Sequence, residues 1–148
     1  YFGADMKKVI LLLLLLPMEI QASSLNDIYW STYMCNGLIY HFDENNNVYK
    51  KYTREFMKIG DEPRYTSYRL IEGKFKHIEG SVYSLTGDSI KGVTTINFSN
   101  MKQPRIKSSK YGLLALKQCD VEQSKKLISE AEIHFKKCPK NDIYCKSP

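Results

Sequence analysis

From Gly37 onward the chain alternates apolar and polar positions with the two-residue period of an extended strand. Leu38, Tyr40 and Phe42 fall on one side and Ile39 and His41 on the other. Asp43–Glu44–Asn45–Asn46–Asn47 is turn chemistry, because short side-chain carboxylates and amides bond back to nearby amides. The return arm sets Val48, Tyr52 and Phe56, with the stems of Lys50 and Arg54, opposite Tyr49, Lys51, Thr53, Glu55 and Met57. This predicts a hairpin with one partly wet face. After a break at Gly60–Asp61–Glu62–Pro63, Thr66, Tyr68 and Leu70 alternate with Tyr65, Ser67, Arg69 and Ile71. Glu72–Gly73, Glu79–Gly80 and Thr86–Gly87–Asp88 read as turns between the short runs Lys74–Ile78, Ser81–Leu85 and Ser89–Phe98, the spacing of a meandering sheet. In the last run Ile90, Thr94, Ile96 and Phe98 share a face with Gly92, a candidate bulge.

The flanks are less regular. Ser24 can cap a short helix, but Ile28–Tyr29–Trp30–Ser31–Thr32–Tyr33 is rich in β-forming residues, so Leu25 to Met34 is expected to contain a strand. Ser99 to Ser109, with Pro104 and several lysines, reads as a loop, and Tyr111 to Gln118 as a buried strand or helical turn. Asp120 opens a helix over 121–137, with Gln123 three residues on as in a capping box. Leu127, Ile128, Ala131, His134, Phe135 and Cys138 line one face of it, and Glu122–Lys126 and Glu132–Lys136 are solvent-side i,i+4 pairs. The expected fold is α+β: an antiparallel β-meander or partly open barrel of six to seven strands, a packed C-terminal helix and two disulfides.

The N-terminal stretch carries an address. Met6–Lys7–Lys8, the apolar run Val9 to Leu16, Pro17 and Ile20–Gln21–Ala22 read as a cleaved secretory signal over 6–22. The run is shorter than the roughly 20 apolar residues of a membrane-crossing helix, so no transmembrane anchor is expected. Residues 1–5 read as an upstream extension and 23–148 as a single exported domain, with the meander over 28–98, loop and strand over 99–120, the helix over 121–137 and a cysteine-bearing tail over 138–148.

Cys35, Cys119, Cys138 and Cys145 all fall in that domain. An even count behind an export signal points to bridges formed in an oxidising compartment, periplasmic or extracellular. Cys119 and Cys138 bracket the expected helix, roughly 25 Å apart by its rise, too far for a bridge. Cys35–Cys119 with Cys138–Cys145 is the preferred pairing. Cys35–Cys138 with Cys119–Cys145 is the other.

Charge is unevenly spread. Residues 23–101 balance nine Lys/Arg against nine Asp/Glu, while 102–148 hold eleven against five and supply the whole net charge of +6. A basic C-terminal third is suited to an anionic envelope surface or an acidic partner. No nucleic-acid motif appears, and nucleic acid is not an expected partner.

Reactive chemistry is not legible. His41, His77 and His134 lack metal-ligand or catalytic spacing, no metal or cofactor is implied, and no hydrolase, P-loop or dinucleotide fingerprint occurs. Glu44, Glu55, Glu72 and Glu79 are the carboxylates that folding could pair. The chain is therefore read as not an enzyme, the alternative being a small periplasmic enzyme that acts on cell-envelope material through such carboxylates.

The aromatic residues say more. Tyr29, Trp30, Tyr33, Tyr40, Tyr49, Tyr52, Tyr65, Tyr68 and Tyr83 fall on expected strands, and rings with a polar handle suit ligand pockets and protein-binding faces. The runs Leu38–Ile39–Tyr40–His41–Phe42–Asp43–Glu44–Asn45–Asn46, Tyr68–Arg69–Leu70–Ile71–Glu72–Gly73 and Val82–Tyr83–Ser84–Leu85–Thr86–Gly87–Asp88–Ser89–Ile90 together resemble the small bacterial lipocalin-like domains of calycin type. That resemblance implies an antiparallel barrel or half-barrel with a central cavity or cupped face. The sequence has Ile28–Tyr29–Trp30 where such domains carry a Gly-x-Trp entry motif. The expected function is non-catalytic binding of a protein partner, as an inhibitor or immunity protein would bind, or of a small apolar ligand. Trp30, Tyr40, Tyr52 and Tyr68 are the candidate binding residues.

Overall fold

Strand alternation builds most of the regular structure among the described residues. A computed structural model describes residues 24–87 and 94–146 of the chain. The expected export signal, the turn residue Asp88 and the candidate bulge with Ile90 and Gly92 lie outside the described residues. A 3-10 turn, Leu25–Asp27, is capped by the Ser24 hydroxyl, which accepts from the Asn26 amide. Nine strands follow among the described residues: β1 Tyr29–Ser31, β2 Leu38–Asp43, β3 Val48–Met57, β4 Tyr65–Glu79, β5 Val82–Thr86, β6 Thr94–Asn97, β7 Arg105–Ser108, β8 Gly112–Ala115 and β9 Lys117–Gln118. Helix α1, Val121–Phe135, completes the fold.

All pairings are antiparallel and run in the order β8-β7-β6-β5-β4-β3-β2-β1-β9. Only Leu116 separates β8 from β9, so one extended segment pairs with β7 through its first half and with β1 through its second. The meander thus returns on itself as a nearly closed barrel, which removes most of the exposed sheet edge. Successive hairpins alternate between its two ends. The β2–β3, β4–β5 and β6–β7 connections share one end with the 3-10 turn, and the β1–β2, β3–β4 and β7–β8 connections share the other.

Pleat parity divides the apolar residues into two cores. Trp30, Tyr40, Phe42, Tyr49, Phe75, Leu85, Ile96, Phe98, Ile106 and Leu116 point into the barrel and pack together. Ile39, Tyr52, Tyr68 and Leu70 point outward, where Leu127 and Ala131 of α1 cover them. The helix is capped as its sequence predicts, with the Asp120 side chain accepting from the Gln123 amide at 3.0 Å. It ends at Phe135, two residues short of the expected 137.

Two disulfides staple the barrel: Cys35–Cys119 ties the β1–β2 connection to the end of β9, and Cys138–Cys145 closes the tail after α1. The tail lies along β4. Because β5 pairs only with Lys74–Glu79, the first half of β4 has no described strand on that side, and the Leu70 amide donates to the Lys140 carbonyl at 2.7 Å instead. The Tyr65 hydroxyl donates to the Tyr144 carbonyl, and Lys140 and Lys146 pair with Glu72 and Glu62.

Three expectations are corrected. The strand count among the described residues is nine, not six to seven. The segment expected as a loop, Ser99 to Ser109, contains β7, where Ile106 and Ser108 point inward and Arg105 and Lys107 outward; one large apolar residue in four gives too weak an alternation to read. Glu72–Gly73 is no turn, because β4 runs unbroken through it for 15 residues. Gly73 marks a close approach of neighbouring groups, the other role a glycine can have in a strand.

Candidate functional site

The four candidate binding residues divide between the two cores. Trp30 and Tyr40 are cross-strand partners inside the barrel. Tyr52 and Tyr68 sit on the outer face under α1, where their hydroxyls donate to Glu132 at 3.3 Å and to Glu130 at 3.1 Å. Burial first, and the neighbouring carboxylate second, raises both phenols above their ordinary pKa. All four are buried, at 0–9% exposure. The barrel wall separates Trp30 and Tyr40 from Tyr52 and Tyr68.

The barrel interior, where the resemblance implies a cavity, is occupied on the 3-10 side by rings. Phe42 touches Trp30, Tyr49, Phe75 and Phe98 at centroid separations of 5.3–6.1 Å, mostly edge to face, the geometry that aromatic quadrupoles favour.

A concave site lies just outside this plug. At the end that carries the 3-10 turn, Leu25, Ile28, Tyr83, Phe98 and Met101 floor a groove of about 610 Å³, rimmed by Glu44, Ser81, Lys102 and Gln118. Reciprocal hydrogen bonds build one wall: the Leu25 amide donates to Glu44 Oε1 and the Glu44 amide to Asn26 Oδ1, both at 2.8 Å. The opposite wall is held by the Met101 carbonyl, which accepts from the Gln118 side chain and from Trp30 Nε1. The only tryptophan of the chain therefore contacts the groove from behind, through Met101 and through Phe98 at 5.5 Å. These groove residues come from five separate stretches of chain that only barrel closure assembles, and no local sequence pattern marks them.

The titratable groups stand apart. His41 bonds the Asn26 carbonyl and stacks on Tyr29, and His77 bonds the Gly80 carbonyl. His134 is 2% exposed, packed on Tyr68 and Phe135, with neither ring nitrogen hydrogen-bonded among the described residues; burial holds its pKa below the ordinary value. Of the carboxylates named as possible partners, Glu44 braces the groove, Glu72 pairs with Lys50 and Lys140, and Glu55 belongs to the inner parity of β3, opposite Ser67. No group of three or more His, Cys, Asp or Glu among the described residues could hold a metal ion. No helix among them is long and apolar enough to cross a membrane.

Compared with protein-family models, curated proteins and solved structures, the chain matches none.

Proposed function

We propose that this chain works in an oxidising compartment outside the cytoplasm as a non-catalytic binding protein, and that it captures a protein partner by seating an apolar side chain in the groove beside the 3-10 turn. The observation that carries this reading is an open groove of about 610 Å³ with an apolar floor and a charged rim, set on a barrel end that is already filled with rings. An apolar floor inside a polar rim is the anatomy of a protein-binding hot spot. The two disulfides support the compartment, because a reducing cytosol keeps thiols reduced and bridges persist where the surroundings oxidise.

A second reading, capture of a small apolar ligand, is favoured by the groove's volume, which falls in the range of roughly 300–1,000 Å³ typical of small-molecule sites.

A photocrosslinking residue in place of Ser81, carried in the producing cell, tests both. The partner reading expects a discrete protein adduct that Met101→Glu abolishes. Native mass spectrometry showing a retained small molecule, lost in the same variant, favours the second. Absence of both results refutes the groove as a binding site.

A further inference from the structure

The end of the barrel opposite the groove has a different surface. Six of the eleven large apolar side chains exposed among the described residues stand there: Tyr33 and Met34 on the β1–β2 connection, Phe56 and Ile59 around β3–β4, Tyr111 and Leu113 around β7–β8. Exposure reaches 77% at Tyr33 and 69% at Phe56. Single exposed apolar residues are ordinary on a soluble surface, but a concentration on three hairpins at one end is not.

Cations accompany these rings. The Arg54 guanidinium lies over Phe56 at 5.3 Å and the Lys110 ammonium over Tyr111 at 5.1 Å. Lys58, Arg64 and Lys107 stand in or beside the same connections, against Glu55, Asp61 and Glu62, and Glu62 is already paired with Lys146. The groove end is balanced: Asp27, Asp43, Glu44 and Glu79 stand with Lys74, Lys76, Lys102 and Arg105. The barrel therefore has a basic, aromatic end and an end of balanced charge.

We infer that the barrel docks end-on to an anionic lipid surface through the β1–β2, β3–β4 and β7–β8 connections. Aromatic rings settle at headgroup depth, where one part of the ring is apolar and another wet, and the adjacent lysines and arginines meet lipid phosphates. The charge asymmetry orients the contact, since only the basic end is drawn to that surface. Docked in this way, the groove faces away from the bilayer and stays open to the aqueous side.

Flotation with vesicles of phosphatidylcholine alone and of phosphatidylcholine mixed with phosphatidylglycerol tests the inference on the oxidised protein. Binding is expected only to the anionic vesicles and should weaken with added salt. Lys58→Glu with Lys110→Glu should lower partitioning about tenfold or more, and Phe56→Ser with Tyr33→Ser by a similar factor, while Lys125→Glu on the exposed side of α1 leaves it unchanged. These side chains are exposed, so circular dichroism should show each variant folded. Equal binding to neutral vesicles, no binding to either, an equal loss from Lys125→Glu, or a solution dimer that Phe56→Ser dissociates would each overturn it. A groove that binds nothing leaves this result unaffected.

Discussion

The Tyr49 ring occupies the space that a side chain at Gly73 would need. The two residues are cross-strand partners on the inner face of β3 and β4, and a Cβ at Gly73 would fall 2.5 Å from Tyr49 Cε1 and 1.9 Å from the Thr86 carbonyl oxygen. Backbone cannot retreat without breaking the β4–β5 ladder. Gly73→Ala is therefore expected to destabilise by about 2–4 kcal/mol, the range of forced overpacking in a dense interior, measured by urea unfolding. Gly60→Ala is the control: its φ is +56° but nothing lies within 4 Å of the added methyl, so it should cost only about 1 kcal/mol.

Stability should fall on mild acidification because of His134. Its ring is buried between α1 and Tyr68, and burial depresses its pKa. The unfolded chain, with an ordinary imidazole near pH 6.5, then binds the proton more readily than the native state. The contribution is fully present above about pH 6.5 and is lost as the pH drops toward the depressed native value. Thermal melts across that window should show a slope that His134→Leu reduces; an unchanged slope would place the proton elsewhere.

The two disulfides should differ in weight. Cys35–Cys119 closes a loop with sequence separation 84 and Cys138–Cys145 one of only 7. On the loop-entropy scale these correspond to about 4–5 and about 2 kcal/mol. Pairwise replacement by serine, followed by calorimetry, should reproduce that order.

Loss of the Asp120 cap is expected to be mild. Asp120 satisfies one orphan amide at the start of α1, and its own carbonyl accepts from the Ser124 hydroxyl at 2.7 Å. Asp120→Ala removes only the first of these contacts and should cost about 1 kcal/mol, seen as a small shift in the urea midpoint.

Local chemistry made part of this fold readable in advance. The turn Asp43–Asn47, the Asp120 cap and the apolar stripe Leu127, Ala131 and His134 are written in neighbouring residues, and the helix length alone removed one of the three cysteine pairings. Gly73 was misread because a turn glycine and a close-approach glycine look alike until the facing ring is known. The split of Tyr40 from Tyr52 was available by counting: Asp43 opposes Val48, so Tyr40 opposes Lys51 and Tyr52 falls on the other face. The groove was not available, since Leu25, Tyr83, Phe98 and Gln118 meet only when Leu116 carries the last strand back to the first.

The Lys140 carbonyl on the Leu70 amide has a consequence for solution behaviour. The closing residues act as a sheath over an otherwise pairing-competent backbone. Clipping or reducing that sheath should leave a backbone edge that recruits its own kind, so chains trimmed after α1 are expected to polymerise before they melt.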